Sequence, residues 1–100
     1  MTVEEVIDRI SIIRTRANLS ARSLSLIINK NPAYITQLET KKCFKPNIDV
    51  ILDICEVCGV SPEEFFYHDL SAYKSDMETL KFLSTLSEKQ KKAIMNLYEK

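Results

Sequence analysis

Two groups of side chains in this sequence have types and spacings that could do chemistry. The first is Cys55 and Cys58, a C-x-x-C pair, with Cys43 and the single histidine, His68, elsewhere in the chain. Thiolates so spaced can hold a metal ion or form a redox pair. On a helix, however, positions three apart share one face, and no second closely spaced pair exists to complete a tetrahedral site. Small cysteines packed in a core are the default for such positions. A zinc- or redox-responsive sensor is therefore the third-ranked reading, and neither a metal nor a cofactor is expected. His68 adjoins Asp69 in a polar stretch with no Ser or Cys nucleophile arrangement around it, and no Gly-rich phosphate loop occurs. No catalytic residue and no small-molecule substrate is evident, so the chain is not expected to be an enzyme.

The second group lies in NKNPAYITQLETKK, Asn29 to Lys42. If this segment is helical with Ile35 and Leu38 inward, a step of about 100° per residue turns Ala33, Thr36, Gln37 and Thr40 outward. Tyr34 and Lys41 then flank that face. Gln37 has the donor and acceptor needed to pair with an adenine edge, and Ala33 can meet a thymine methyl. Thr36 and Tyr34 can reach base edges or phosphates, while Arg22, Lys30, Lys41, Lys42 and Lys45 are candidate phosphate partners. Helix N-termini here would aim further N–H groups at the DNA. The plainer alternative is that Tyr34 and Gln37 merely cover a packing helix.

Charge distribution bears on that choice. The whole chain is neutral, with 14 basic and 14 acidic residues. Between Arg9 and Lys45, however, eight bases (Arg9, Arg14, Arg16, Arg22, Lys30, Lys41, Lys42, Lys45) meet a single acid, Glu39. A local excess of this size is a patch that can select an anionic partner, or else a solvated face with its charges scattered.

The elements that must position these residues are helical. One Gly and three Pro in 100 residues leave few tight turns, and 45% hydrophobic with 28% charged residues is an ordinary globular composition. No apolar run approaches membrane-spanning length, and the first residues carry acids where a secretory leader has bases, so a cytoplasmic protein is expected. Thr2 with Glu5 forms a capping box for a helix over Val3–Arg16 with Val3, Val6, Ile7, Ile10 and Ile13 on one stripe. Ser20 caps a second, with Leu24, Ile27 and Ile28 inward, ending near Asn29. Asn31 caps a third, with Pro32 as its first residue, running to about Thr40. Asn47 caps a fourth, with Ile48, Ile51, Leu52, Cys55 and Cys58 inward and Gly59 as its stop. Ser61-Pro62-Glu63-Glu64 opens a fifth containing Phe65 and Phe66. HDLSAYKSD reads as a polar connector. Met77, Leu80 and Leu83 mark a sixth helix, and Ser87 with Gln90 caps a last one carrying Ile94, Leu97 and Tyr98.

The second and third helices are short and joined by a turn of three or four residues, so they must cross steeply, one bracing the other. LSARSLSLIINKNPAYITQLETKK resembles the helix-turn-helix of the lambda-repressor/Cro-like (XRE) family. The match runs without a gap through Leu24, the small Ser25, Ile28, the turn, Ile35, Leu38 and Glu39. KPNIDVILDICEVCGVSPEEFF is similar to the segment that closes the family's domain, so the resemblance covers about 9–66. Ala21 departs from the pattern, standing where a phosphate-reaching Gln is common. Asn29 and Lys41 replace glycines, and Leu26 lies on the expected outer side of its helix.

The resemblance implies an all-α, five-helix lambda-repressor-like DNA-binding domain over 1–68, with a C-terminal helical extension over 69–100. It implies a sequence-specific transcriptional regulator of bacterial or phage type, acting on the nucleoid, with the third helix in the major groove of double-stranded DNA. Bases would be contacted by Pro32, Ala33, Tyr34, Thr36 and Gln37. Phosphates would be contacted by Ser20, Arg22, Lys30, Asn31, Thr40, Lys41, Lys42 and Lys45. Met77, Leu80, Leu83, Ile94, Leu97 and Tyr98 offer a surface for a homodimer, because one such domain covers too few base pairs alone. The alternative is a protein-interaction module on the same fold, an antitoxin or a regulator's partner, with weak or no DNA binding.

Overall fold

Seven α-helices and one 3-10 turn account for the ordered elements of a computed structural model, which describes residues 1–41 and 45–98, the side chains of Lys41 and Tyr98 excepted. They are α1 (Val3–Arg16), α2 (Ala21–Ile27), α3 (Tyr34–Lys41), α4 (Ile48–Cys58), α5 (Pro62–Phe65), the 3-10 turn Leu70–Ala72, α6 (Tyr73–Ser84) and α7 (Glu88–Tyr98). No strand occurs among the described residues, as the helical composition leads one to expect.

Five of the helices, α1, α2, α4, α5 and α7, begin where side chains satisfy their first N–H groups. Thr2 Oγ1 accepts from Glu5 N at 3.1 Å, Ser20 Oγ from Ser23 N at 3.0 Å, Asn47 Oδ1 from Val50 N at 2.9 Å and Ser61 Oγ from Glu64 N at 3.1 Å. Ser87 and Gln90 cap each other reciprocally ahead of α7, at 2.9 and 3.2 Å. Three helices end alike, in a left-handed residue followed by a backward bond. Asn18 (φ 58), Asn29 (φ 60) and Gly59 (φ 72) let Leu19, Lys30 and Val60 N–H reach the carbonyls of Arg14, Ser25 and Cys55. Asparagine tolerates that conformation better than other side chains, so one glycine suffices.

The chain divides into two compact units, Met1–Leu70 and Ser71–Lys100. In the first, α1 packs on α3 and α4, and α2 packs on α3 and α4. Its core gathers Ile7, Ile10 and Ile13 of α1, Leu24 and Ile28, Ile35 and Leu38, Val50, Ile51, Ile54 and Cys55 of α4, and Phe65. Burying each such side chain contributes about 1.5–3 kcal/mol relative to leaving it in water.

Several expected inward positions turn outward. Ile48 and Leu52 are 56% and 40% exposed, because α4 presents Val50, Ile51, Ile54 and Cys55 to the core. These four share one face of the helix, a stripe rotated by about one residue from the expected one. Ile27 is 50% exposed, since Leu24, Ser25 and Ile28 complete the inner face of α2. Phe66 is exposed and meets Phe65 edge-on, ring centroids 5.0 Å apart. Leu70, expected in a polar connector, is buried in the core.

In the second unit, α6 and α7 form the ordered elements, and none of the described side chains from Ser71 to Leu97 is fully buried. Met77, Leu83 and Ile94 are half-buried, whereas Leu80, Phe82, Met95 and Leu97 are exposed. No helix among the described residues is long and apolar enough to cross a membrane.

Candidate nucleic-acid interface

The position of α3 is fixed from beneath by one buried hydroxyl. Ser25, fully buried on α2, donates to the Ala21 carbonyl at 2.7 Å and accepts from Ile35 N at 3.0 Å. A larger residue would not fit between the helices, and a smaller one would leave a buried N–H unpaired. Ile35 and Leu38, both at zero exposure, seat the underside of α3 in the core. A second tie comes from α1. Arg14 forks onto Glu39 of α3, Nε–Oε1 at 2.9 Å and Nη2–Oε2 at 3.1 Å, and its remaining nitrogen donates to the Leu19 carbonyl at 2.8 Å. The pair is only 18% and 15% exposed, so water screens it weakly.

The entry to α3 differs from expectation. Asn31 Oδ1 accepts from Ala33 N at 2.9 Å, and the Asn31 carbonyl accepts from Tyr34 N at 2.9 Å. Residues Pro32 and Ala33 therefore form a turn, and the α-helix starts at Tyr34. This overturns the expectation that the N-terminus of the third helix offers free N–H groups to DNA. Pro32 has none, and those of Ala33, Tyr34 and Ile35 are bonded to Asn31 and Ser25.

The outer side of this segment does gather the expected side chains. Ala33, Thr36, Gln37 and Thr40 are exposed, while Pro32 and Tyr34 are half-buried. Lys30 Nζ sits over the Tyr34 ring, 5.6 Å from its centroid, a cation–π contact that holds a positive charge beside the start of the helix. Burial pushes the Tyr34 hydroxyl up.

The expected phosphate partners fall into three groups. Arg22, Lys30 and Lys45 are exposed cations. Ser20, Asn31 and Thr40 are exposed, but their oxygens already serve the fold. Ser20 Oγ donates to Ser23 Oγ at 2.9 Å, Thr40 Oγ1 donates to the Thr36 carbonyl at 2.6 Å, and Asn31 is the cap just described. Those two hydroxyls must rotate before either can donate to a phosphate. Lys42 and the side chain of Lys41 lie outside the described residues, as does the side chain of Tyr98.

Two of the eight clustered bases turn out to be internal fasteners. Besides Arg14, Arg9 donates to three carbonyls at and beyond the end of α5: Phe65 at 2.7 Å, Tyr67, and His68 at 3.1 Å. Neither long-range role was visible in sequence, because the partners lie 25 and 56 to 59 residues away. The patch survives this loss, since its one acid, Glu39, is neutralised by Arg14.

The cysteine reading has a different chemistry. Cys55 is buried and its thiol is pushed up to about 11, by burial first and by Cys58 second. Cys58 is raised by burial, with the Arg14 charge opposing. Both are thiols rather than thiolates at neutral pH, which disfavours metal or redox reactivity. Cys43 lies outside the described residues.

A short helix braced by another and bearing an exposed polar face is the helix-turn-helix arrangement. Comparison with family models matches residues 10–65 to a family described as helix-turn-helix, HTH_3. The chain belongs to the lambda-repressor/Cro-like helix-turn-helix family. Comparison with curated proteins and with solved structures gave no significant match. The lambda-repressor-like family is one of DNA-binding transcription regulators and not of enzymes. Its match covers α2, α3 and α4, and stops at the last residue of α5.

Proposed function

We propose that this chain is an operator-binding transcription regulator of bacterial or phage type, with α3 in the major groove. The observation that carries the reading is the exposure of Ala33, Thr36 and Gln37 on a helix whose opposite side is locked by Ser25, Ile35 and Leu38. A reading helix must hold its side chains in register while the duplex is matched to them, and this one is tied at both ends. Gln37 would pair with an adenine edge and Ala33 would meet a thymine methyl. Tyr34 and Thr36 would lie at the margin of the groove, and Pro32 would add apolar contact only. Arg22, Lys30 and Lys45, with Lys41 and Lys42, would take phosphates.

Because the N–H groups at the start of α3 are already bonded, sequence preference would rest on these few side chains and on DNA shape. A homodimer would supply the second half-site about one helical turn away. The exposed Leu80 and Leu97, together with the half-buried Met77, Leu83 and Ile94, support self-association through the second unit. Selection of bound duplexes from a random pool tests the reading. An enriched motif with dyad symmetry is expected, and a pool that stays random after repeated rounds sinks it.

The second reading is a protein-interaction module. It is favoured by Leu26 and Ile27, two adjacent exposed apolar residues on the helix that braces α3. Retention on heparin or bulk DNA at low salt separates the two, since only the DNA reading requires retention that weakens when Arg22 and Lys30 are neutralised.

A further inference from the structure

The outer side of α4 carries none of the residues proposed above to touch DNA, and its pattern is specific. Asp49, Asp53 and Glu56 are exposed at spacings of four and three, so they form one stripe, and α4 contains no basic residue. The exposed Ile48 and Leu52 border that stripe on one flank. On the other flank a groove of ≈ 260 Å³ opens between α2 and α4, lined by Ile27, Ile28, Asn29, Asp53, Glu56 and Val57. This surface is therefore an acidic ridge between two apolar margins. Phosphates would be repelled by it, so its partner is not the duplex.

The complementary surface occurs in the same chain. On α7, the exposed Lys89 and Lys92 are three apart and share one face. The helical step places the exposed Met95 on one side of these lysines and the exposed Leu97 on the other. This is a basic ridge between two apolar margins. Residues 1–70 hold eight bases and ten acids, and residues 71–100 hold six bases and four acids, so the units carry opposite net charges of −2 and +2. Neither surface is covered within its own unit: Ile27, Leu52, Met95 and Leu97 are all large, apolar and exposed.

We propose that the outward face of α7 in one copy docks on the α2/α4 groove of a second copy, and reciprocally, closing a two-fold dimer. A closed two-fold pair uses the contact twice, which doubles the apolar area covered. Lys89 and Lys92 meet Asp53 and Glu56, while Met95 and Leu97 cover Ile27, Val57 and Leu52. The proposal rests on the dimer reading above for the existence of a pair, and it sets contact between α7 and the α2/α4 groove in place of contact between two second units.

Charge reversal in full-length protein tests it, with mass read by sedimentation equilibrium in the absence of DNA. One variant carries Asp53→Lys and Glu56→Lys, the other Lys89→Glu and Lys92→Glu. Each alone is expected to weaken dimerisation about tenfold or more, through like-charge contacts. An equimolar mixture is expected to recover the dimer, since each groove then faces an α7 of opposite sign. A single chain with all four changes is expected to dimerise again. Recovery on mixing also shows that both variants are folded. The milder pair Glu56→Lys and Lys92→Glu repeats the test should either double variant lose its helical circular dichroism.

The proposal is overturned if the groove variant dimerises like wild type, because the copies then pair elsewhere. It is equally overturned if the four-change chain recovers and the mixture does not, because the contact is then within one chain. A wild-type monomer at all concentrations also overturns it. Retention of wild type on bulk DNA, measured separately, shows whether DNA reading fails with it.

Discussion

Ser25 Oγ receives the N–H of Ile35 at 3.0 Å from a site with no solvent access, so a single hydroxyl couples α2 to the first turn of α3. Its proton goes to the Ala21 carbonyl, which fills both of its roles. Ser25→Ala would leave the Ile35 N–H buried and unpaired, at a cost of about 1–3 kcal/mol. Urea unfolding measures that loss, and an unchanged midpoint would show that water replaces the hydroxyl.

Arg14 and Glu39 should behave as a coupled pair. Arg14→Met and Glu39→Gln each leave a partly buried partner unmatched, so the double variant should lose less than the sum of the singles. A double-mutant cycle is expected to give about 0.5–3 kcal/mol of coupling. Strict additivity would mean that the fork contributes nothing in solution.

Gln37→Ala should cost about 1–3 kcal/mol at a single base position and relax the preference there, leaving other positions alone. A uniform loss over all operator variants would instead mark Gln37 as a phosphate contact.

Lys30→Met should weaken binding to every duplex and lower the slope of log affinity against log salt by about one unit. An equal slope would confine Lys30 to its contact with the Tyr34 ring.

Stability should fall at alkaline pH through the buried thiols. The folded Cys55 thiol is raised to about 11, above an unfolded value of about 8.5. Folding therefore retains a proton that the unfolded chain releases. The associated stability is fully present below the unfolded value and is lost as pH rises through the folded one. Cys55→Ala should flatten this decline in pH-dependent unfolding, and a decline that persists unchanged would place its origin in other groups.

Much of this architecture was legible because it is local. Thr2, Ser20, Asn47, Ser61 and Ser87 announce helix starts through bonds to residues three positions on, and periodicity alone places Ile35 and Leu38 inward. The outward face of α3 follows from those two anchors. Three things resisted. The inner stripe of α4 was displaced because Ile48 and Leu52 are apolar yet exposed, and periodicity cannot tell a core leucine from one awaiting a partner. The start of α3 shifted because Asn31 caps by an i to i+2 bond that competes with the expected helix start at Pro32. The roles of Arg9 and Arg14 depend on residues distant in sequence, and no local rule reveals them.

Arg9 has a consequence for how the chain comes to be folded. Its three acceptors lie 56, 58 and 59 residues downstream, whereas most of the capping bonds close within a turn of where they start. During synthesis the guanidinium therefore emerges long before the carbonyls that it will bind. The helix-turn-helix domain cannot close until about the first 70 residues have left the ribosome, so individual helices should flicker early while the tertiary lock arrives late and all at once.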